Sequence, residues 1–156
     1  MLIRPLETSD AVDAQLLLKQ LGDDSTLPEM QTRISRILAD KSHYAAVAEA
    51  SGQIFGVVHA FERSALEKPY EVVVQSIAVR KDSHRSGVGR SLIFAVERWA
   101  ASRGIGSVVL HTRNAGAFYE KLGYKIVARP HFMRRRLDKA EYAGAPSDDR
   151  ADEVVE

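Results

Sequence analysis

The chain has 156 residues, 45% apolar and 28% charged, a formal net charge of +1 and no cysteine. That length and balance describe one ordered globular domain burying roughly two-thirds of its unfolded surface, and they exclude a disordered chain, a disulfide framework, a thiolate metal site and a thiol nucleophile. No run of 18 apolar residues is present, and the opening "MLIRPLETSD" lacks the apolar centre of a secretion signal, so a cytoplasmic protein with no membrane partner is expected.

In chain order, "MLIRPL" predicts a first strand, and "TSD" caps a helix over about 10–21 that Gly22 closes. A second helix starts at Ser25 or Thr26 with Pro28 in its first turn, and Leu27, Met30, Ile34, Ile37 and Leu38 recur at helical spacing. "YAAVAEA", the turn "SGQ" and "IFGVVHAFE" predict a hairpin, and "YEVVVQSIAV", rich in β-branched residues, a buried central strand. Residues 89–103 predict the clearest helix, with Leu92, Ile93, Val96, Trp99 and Ala100 on one face and Gly104 as its stop. "SVVLHTR" is a further strand, residues 115–122 a short helix ending at Gly123, and "YKIVARP" with "HFMRRRL" a last strand pair. The order is that of a single mixed α/β (α+β) domain whose central unit is strand, crossover helix, parallel strand. No internal repeat is visible.

Residues 138–156 hold seven acids against Lys139 and Arg150, which leaves the body before them at about +6 and predicts an acidic, disordered C-terminal tail. A body of that charge suits a phosphorylated small ligand, and no nucleic-acid partner is expected from it. His43 and His131 stand near strand starts without partners at metal-ligand spacing, so no metal is expected.

The stretch "HRSGVGR", residues 84–90, joins the central strand to the clearest helix. A helix N-terminus presents unpaired N–H groups and about half a positive charge, and Gly87 and Gly89 remove the side chains that would keep a phosphate away. Arg85 and Arg90 add charge. Read by itself, the stretch is either an anion site or merely a tight turn: it has neither the Gly-Lys-Ser/Thr of a P-loop nor the third glycine of a dinucleotide fingerprint, where Leu92 stands.

His84-Arg85-Ser86-Gly87-Val88-Gly89, following the strand end "IAV" and opening a helix, resembles the signature of the GNAT superfamily of acetyl-CoA-dependent N-acetyltransferases. That signature has Gln or Arg, two residues, Gly, one residue, then Gly or Ala, so His84 departs from it at the first position. "AFYEKLGYKIV" at 117–127 is similar to the family's second hallmark, and the likeness spans residues 1–137, taken as one N-acetyltransferase domain. The resemblance implies a mostly antiparallel mixed sheet with flanking helices and a splayed parallel central strand pair. It implies acetyl-CoA as cosubstrate, a small-molecule or peptide amine as acceptor, and a homodimer formed through sheet edges as in many relatives.

Carried onto this sequence, backbone groups of Ile77, Ala78 and Val79 hold the pantetheine and the thioester carbonyl. Those of Arg85, Ser86, Gly87, Val88, Gly89 and Arg90 hold the pyrophosphate, His84 at the first signature position makes a side-chain contact to the cofactor, and Asn114 stands for the asparagine that touches the pantetheine arm. Tyr119 is the general acid for the departing thiolate, a phenol of pKa about 10 serving a thiol of about 8.5. An amine of pKa about 10 also needs a base. The glutamate that relatives carry on the central strand is replaced by Gln75, leaving Glu71, Glu62, His59 and His111, of which Glu71 and His111 are named as base candidates. The same missing glutamate admits an alternative, a non-catalytic acyl-CoA-binding or regulatory module of the same fold.

Overall fold

The computed structural model describes residues 1–127, 133–135 and 137. The chain forms two compact units, one spanning residues 1–114 and one beginning at Ala115.

In the first unit, β1 (Leu2–Pro5) leads through a 3-10 turn into α1 (Ala11–Leu18) and a second 3-10 turn. Gly22, at φ 87°, closes that segment in the left-handed region. α2 (Leu27–Ala39) starts with a capping box in which Glu29 accepts the Thr26 N–H at 2.7 Å. Then come β2 (His43–Ala50), β3 (Gln53–Arg63), β4 (Glu71–Val79), α3 (Val88–Ser102) and the three-residue β5 (Val108–Leu110). The strands form one sheet in the order β1-β2-β3-β4-β5, antiparallel except for the parallel β4–β5 pair. The expected strand, crossover helix and parallel strand are thus present, although β5 is shorter than the stretch 107–113 read for it.

Successive strand residues face opposite sides of the sheet. Ala45, Val47, Val57 and Ala78 join Leu6, Ala11, Ala14, Leu17, Met30 and Ile34 in a core beneath α1 and α2. On the other side α3 buries Val88, Leu92, Ile93, Val96 and Ala100. Gly56 lets α3 approach: a Cβ there would stand 2.9 Å from Leu92 Cδ1, 3.0 Å from Val88 Cγ1 and 3.1 Å from the Ala78 carbonyl oxygen. β1 is tied down by Arg4, whose guanidinium grips Asp10 with two 2.8 Å bonds and Glu49 with one of 2.5 Å.

The second unit opens with α4 (Gly116–Lys121), which ends as Gly123 turns at φ 94°. Residues 124–127, expected as the start of a last strand pair, carry no strand, and their apolar side chains Ile126 and Val127 are exposed. Residues 128–132 of that pair, together with His131, and the tail 138–156 lie outside the described residues.

Candidate active site

The β4–β5 ladder runs only from Val72–Val108 to Val74–Leu110. At the next residue β4 bulges: His59 faces Ser76 and Ala60 faces Val74, so Gln75 has no partner on β3. Beyond that point β4 continues to Val79 paired with β3 alone. The bulge and the end of the parallel ladder coincide, so beyond Gln75 the edge of β4 is no longer paired with β5.

The free edge has a definite polarity. Arg80 N–H donates to the Phe55 carbonyl at 2.8 Å, and antiparallel pairs alternate between hydrogen-bonded and non-hydrogen-bonded. The N–H and C=O of Val79 and Ile77 therefore point away from β3, along the edge β5 has left, while those of Ala78 point toward β3. His84 stitches the loop back to this edge, its ring Nε2 lying 3.0 Å from the Val79 carbonyl. The residue that departs from the family pattern thus anchors the strand end.

The loop then turns onto α3 with its amides exposed. Arg85 at φ 65° and Gly87 at φ 85° both occupy the left-handed region. Gly87 is the N-cap and no side chain caps the helix, so the N–H groups of Val88, Gly89 and Arg90 have no intrahelical acceptor; the first such bond is Ser91 N–H to the Gly87 carbonyl at 3.0 Å. Ser86 is occupied within the loop, N–H and hydroxyl both donating to the Ser83 carbonyl. A Cβ at Gly87 would meet nothing within 4 Å, so the space over this turn is open. The side chains of Arg85 and Arg90 are exposed and make no ion pair among the described residues. Free amides, open space and two unpaired guanidiniums suit an anion.

The two base candidates occupy different places. Glu71 begins β4, and at about 3.3 Å per residue it lies about 20 Å from Ile77. Its carboxylate accepts from the Ser107 hydroxyl at 2.7 Å and from Arg63 at 2.9 Å, and these bonds, Ser107's first, hold its pKa below the usual carboxylate value. A buried, ion-paired carboxylate there fastens β3, β4 and the approach to β5. Glu62 is likewise engaged, by Arg103 and Tyr70. His111 is exposed and stands one residue past the end of β5 instead of within a strand, and Asn114 is exposed three residues further on.

In the second unit Tyr119 is buried, packed edge-on against Phe118 and Tyr124 at ring-centroid distances of 5.0 and 5.8 Å. Burial raises its phenol pKa.

One cluster escaped the sequence reading. His43 Nδ1 lies 2.8 Å from His59 Nε2, the rings stack with centroids 5.1 Å apart, and His43 Nε2 is 3.6 Å from an Asp40 carboxylate oxygen. His43, which looked partnerless in the sequence, gains its partner from the hairpin register that sets it opposite Phe61, two residues from His59. The signal was there in the hairpin: two histidines, each on a strand of one antiparallel pair. Among the described residues no group of three His, Asp or Glu is arranged to hold a metal ion, and no helix is long and apolar enough to cross a membrane.

Known proteins resemble the chain in sequence and in fold. The profile described as acetyltransferase (GNAT) family matches residues 14–124. The chain is similar to an aminoglycoside N(6')-acetyltransferase type 1 of Klebsiella aerogenes, 32% identical over 110 residues that cover 66% of this chain and 72% of the relative. Its fold is similar to that of an aminoglycoside antibiotic 6'-N-acetyltransferase of Acinetobacter haemolyticus, with a TM-score of 0.76, 20% identity and coverage of 88% of this chain and 100% of the other. It is also similar to an aminoglycoside N-acetyltransferase in complex with the bisubstrate analogue CoA-S-monomethyl-acetylneamine, with a TM-score of 0.74, 23% identity and coverage of 86% and 97%.

Proposed function

The chain belongs to the acetyltransferase (GNAT) family, and on that premise we propose that it moves the acetyl group of acetyl-CoA to the primary amine of a small molecule. The observation that carries the cosubstrate is the end of the β4–β5 ladder at Val74, followed within one loop by the uncapped N-terminus of α3. An arm containing amides fits along the edge of Ile77 and Val79, and a diphosphate fits against the amides of Val88, Gly89 and Arg90 beside Arg85. Small-molecule acceptors are favoured because the relative similar over most of its length acts, by its name, on an aminoglycoside amine.

Acetyl-CoA supplies an activated thioester when bound. The protein's part is to place and polarise it. The outward N–H of Ile77 is the donor for charge developing on the thioester oxygen, a contribution that grows in the transition state and so accelerates the reaction. By its place in the family's second hallmark, Tyr119 is the proton donor to the thiolate: burial keeps the phenol protonated, and its transfer, uphill by about 1.5 pKa units in water, is drawn forward as the phenolate regains a proton from the acylated nitrogen. His84, bound to the Val79 carbonyl, keeps the loop against the strand so that the two binding segments stay in register.

The test is release of free CoA from acetyl-CoA over a panel of amines, including neamine and a peptide with a free α-amine, beside calorimetric CoA binding. Thiol release that depends on the amine supports the reading. CoA uptake without amine-dependent release identifies a binding module instead, and no uptake of CoA rejects the site.

A further inference from the structure

The geometry points to Asp40, His43 and His59 as a proton relay that deprotonates the acceptor amine, with His59 as the group that touches the substrate. This inference rests on the acetyl-transfer reading above.

Position supports it first. His59 lies directly across from Ser76, and antiparallel partners have Cα atoms about 5 Å apart. It therefore sits beside the Gln75 bulge and one residue from Ile77, on the stretch of β4 that is no longer paired with β5. Glu71 is about 20 Å along the strand from that point. Gln75, at the bulge itself, has no basic lone pair to offer.

Tautomers come next. Asp40 is a carboxylate held ionised chiefly by the Ser42 hydroxyl and amide, at 2.7 and 2.9 Å, and it faces His43 Nε2. A negative partner favours a proton on that nitrogen, which leaves His43 Nδ1 as an acceptor for His59 Nε2–H. His59 Nδ1 is then a free lone pair, and no protein group among the described residues occupies it.

Burial, and then the neighbouring His43, push the His59 pKa down to about 4. His59 is therefore neutral at pH 7 and cannot hold a proton for long, as a relay station requires. His43 and Asp40 are the titratable groups that face the pair. In the step itself the ammonium N–H bond breaks and His59 Nδ1 gains the proton. The His59 Nε2–H bond breaks and its proton passes to His43 Nδ1. The positive charge rests on His43, next to Asp40. When product leaves, the two transfers reverse and His59 Nδ1 gives the proton to water, so one proton is released per acetyl group moved.

A pH profile separates the relay from mere packing of two stacked imidazoles beside Phe61. With acetyl-CoA and neamine, His59→Gln is expected to lower kcat/KM about a hundredfold at pH 7, with the deficit shrinking toward pH 10 as the amine sheds its own proton. Its CoA affinity by calorimetry stays within about twofold of wild type, since the substitution leaves the loop 84–90 alone. His43→Ala shows the same recovery with pH at a smaller deficit. Profiles of both variants parallel to wild type overturn the relay while leaving acetyl transfer standing; a wild type that binds CoA and acetylates no amine overturns both. Nitrogen-15 NMR of the imidazoles is independent of turnover: the relay requires Nε2–H on both rings, and Nδ1–H on His59 overturns it.

Discussion

Burial acts on Tyr119 and His59 in opposite directions for one reason: it disfavours whichever form is charged, raising the phenol and lowering the imidazole. The phenol stays an acid and the imidazole stays a free base at neutral pH. Tyr119→Phe removes the acid without removing the ring, so kcat is expected to fall about a hundredfold while calorimetric CoA affinity is kept; equal turnover by the two proteins removes Tyr119 from the mechanism. His59 also makes a prediction about stability. Its folded pKa of about 4 lies below its ordinary 6.5, so as pH falls through that window the unfolded chain takes up a proton that the folded chain refuses. Stability is therefore full above about pH 6.5 and is lost toward pH 4, by on the order of 3 kcal/mol at most. Urea midpoints at pH 7 and pH 4.5 measure this, and His59→Gln should flatten the difference; an unchanged difference assigns the acid sensitivity to other groups. The pairing itself could not be read from residue types, because 16 residues separate His43 from His59 and only the hairpin register brings them together.

At the scale of elements, α3 packs tightly on Gly56. Gly56→Ala puts a methyl 3.1 Å from the Ala78 carbonyl oxygen and closer still to Leu92 and Val88, and a backbone carbonyl cannot rotate away. A loss of about 1–3 kcal/mol is expected from chemical denaturation. CoA binding should weaken as well, because Val88 and Leu92 belong to the first turns of the helix whose amides form the proposed diphosphate site. Wild-type stability in that variant would show that α3 gives way without cost. Helical periodicity and capping residues made α2 and α3 legible in the sequence, and β-branched density did the same for β4. Two features were not legible. Gln75 is an ordinary strand residue until the register on β3 leaves it unmatched, and β5 ends at Leu110 because pairing stops, although "SVVLHTR" is apolar enough to suggest more. Glu71 illustrates the same limit: its residue type suits a base, but its partners Arg63 and Ser107 and its place at the far end of β4 make it a clasp.

At the scale of the whole molecule, the family was legible because its two hallmarks are local. The segment 84–89 needs only a strand before it and a helix after it, and 117–127 only a short helix and a turn. What sets the acceptor is not local, since it depends on which side chains from several elements meet over the sheet. The positive body charge and the two unpaired arginines of the loop predict that CoA binding weakens as salt is raised. In the proposed complex a diphosphate rests on bare backbone amides where the loop becomes α3. Calorimetric titration of CoA into wild type and Gly87→Val tests it most directly, with circular dichroism confirming that the variant is folded. A β-branched residue is strained at φ 85° and its side chain would occupy the open space over the turn. A clear heat of binding is expected for wild type and affinity at least about tenfold weaker for the variant, the loss of one hydrogen bond to a charged group. No heat with wild type, or equal affinity in a folded Gly87→Val, contradicts it.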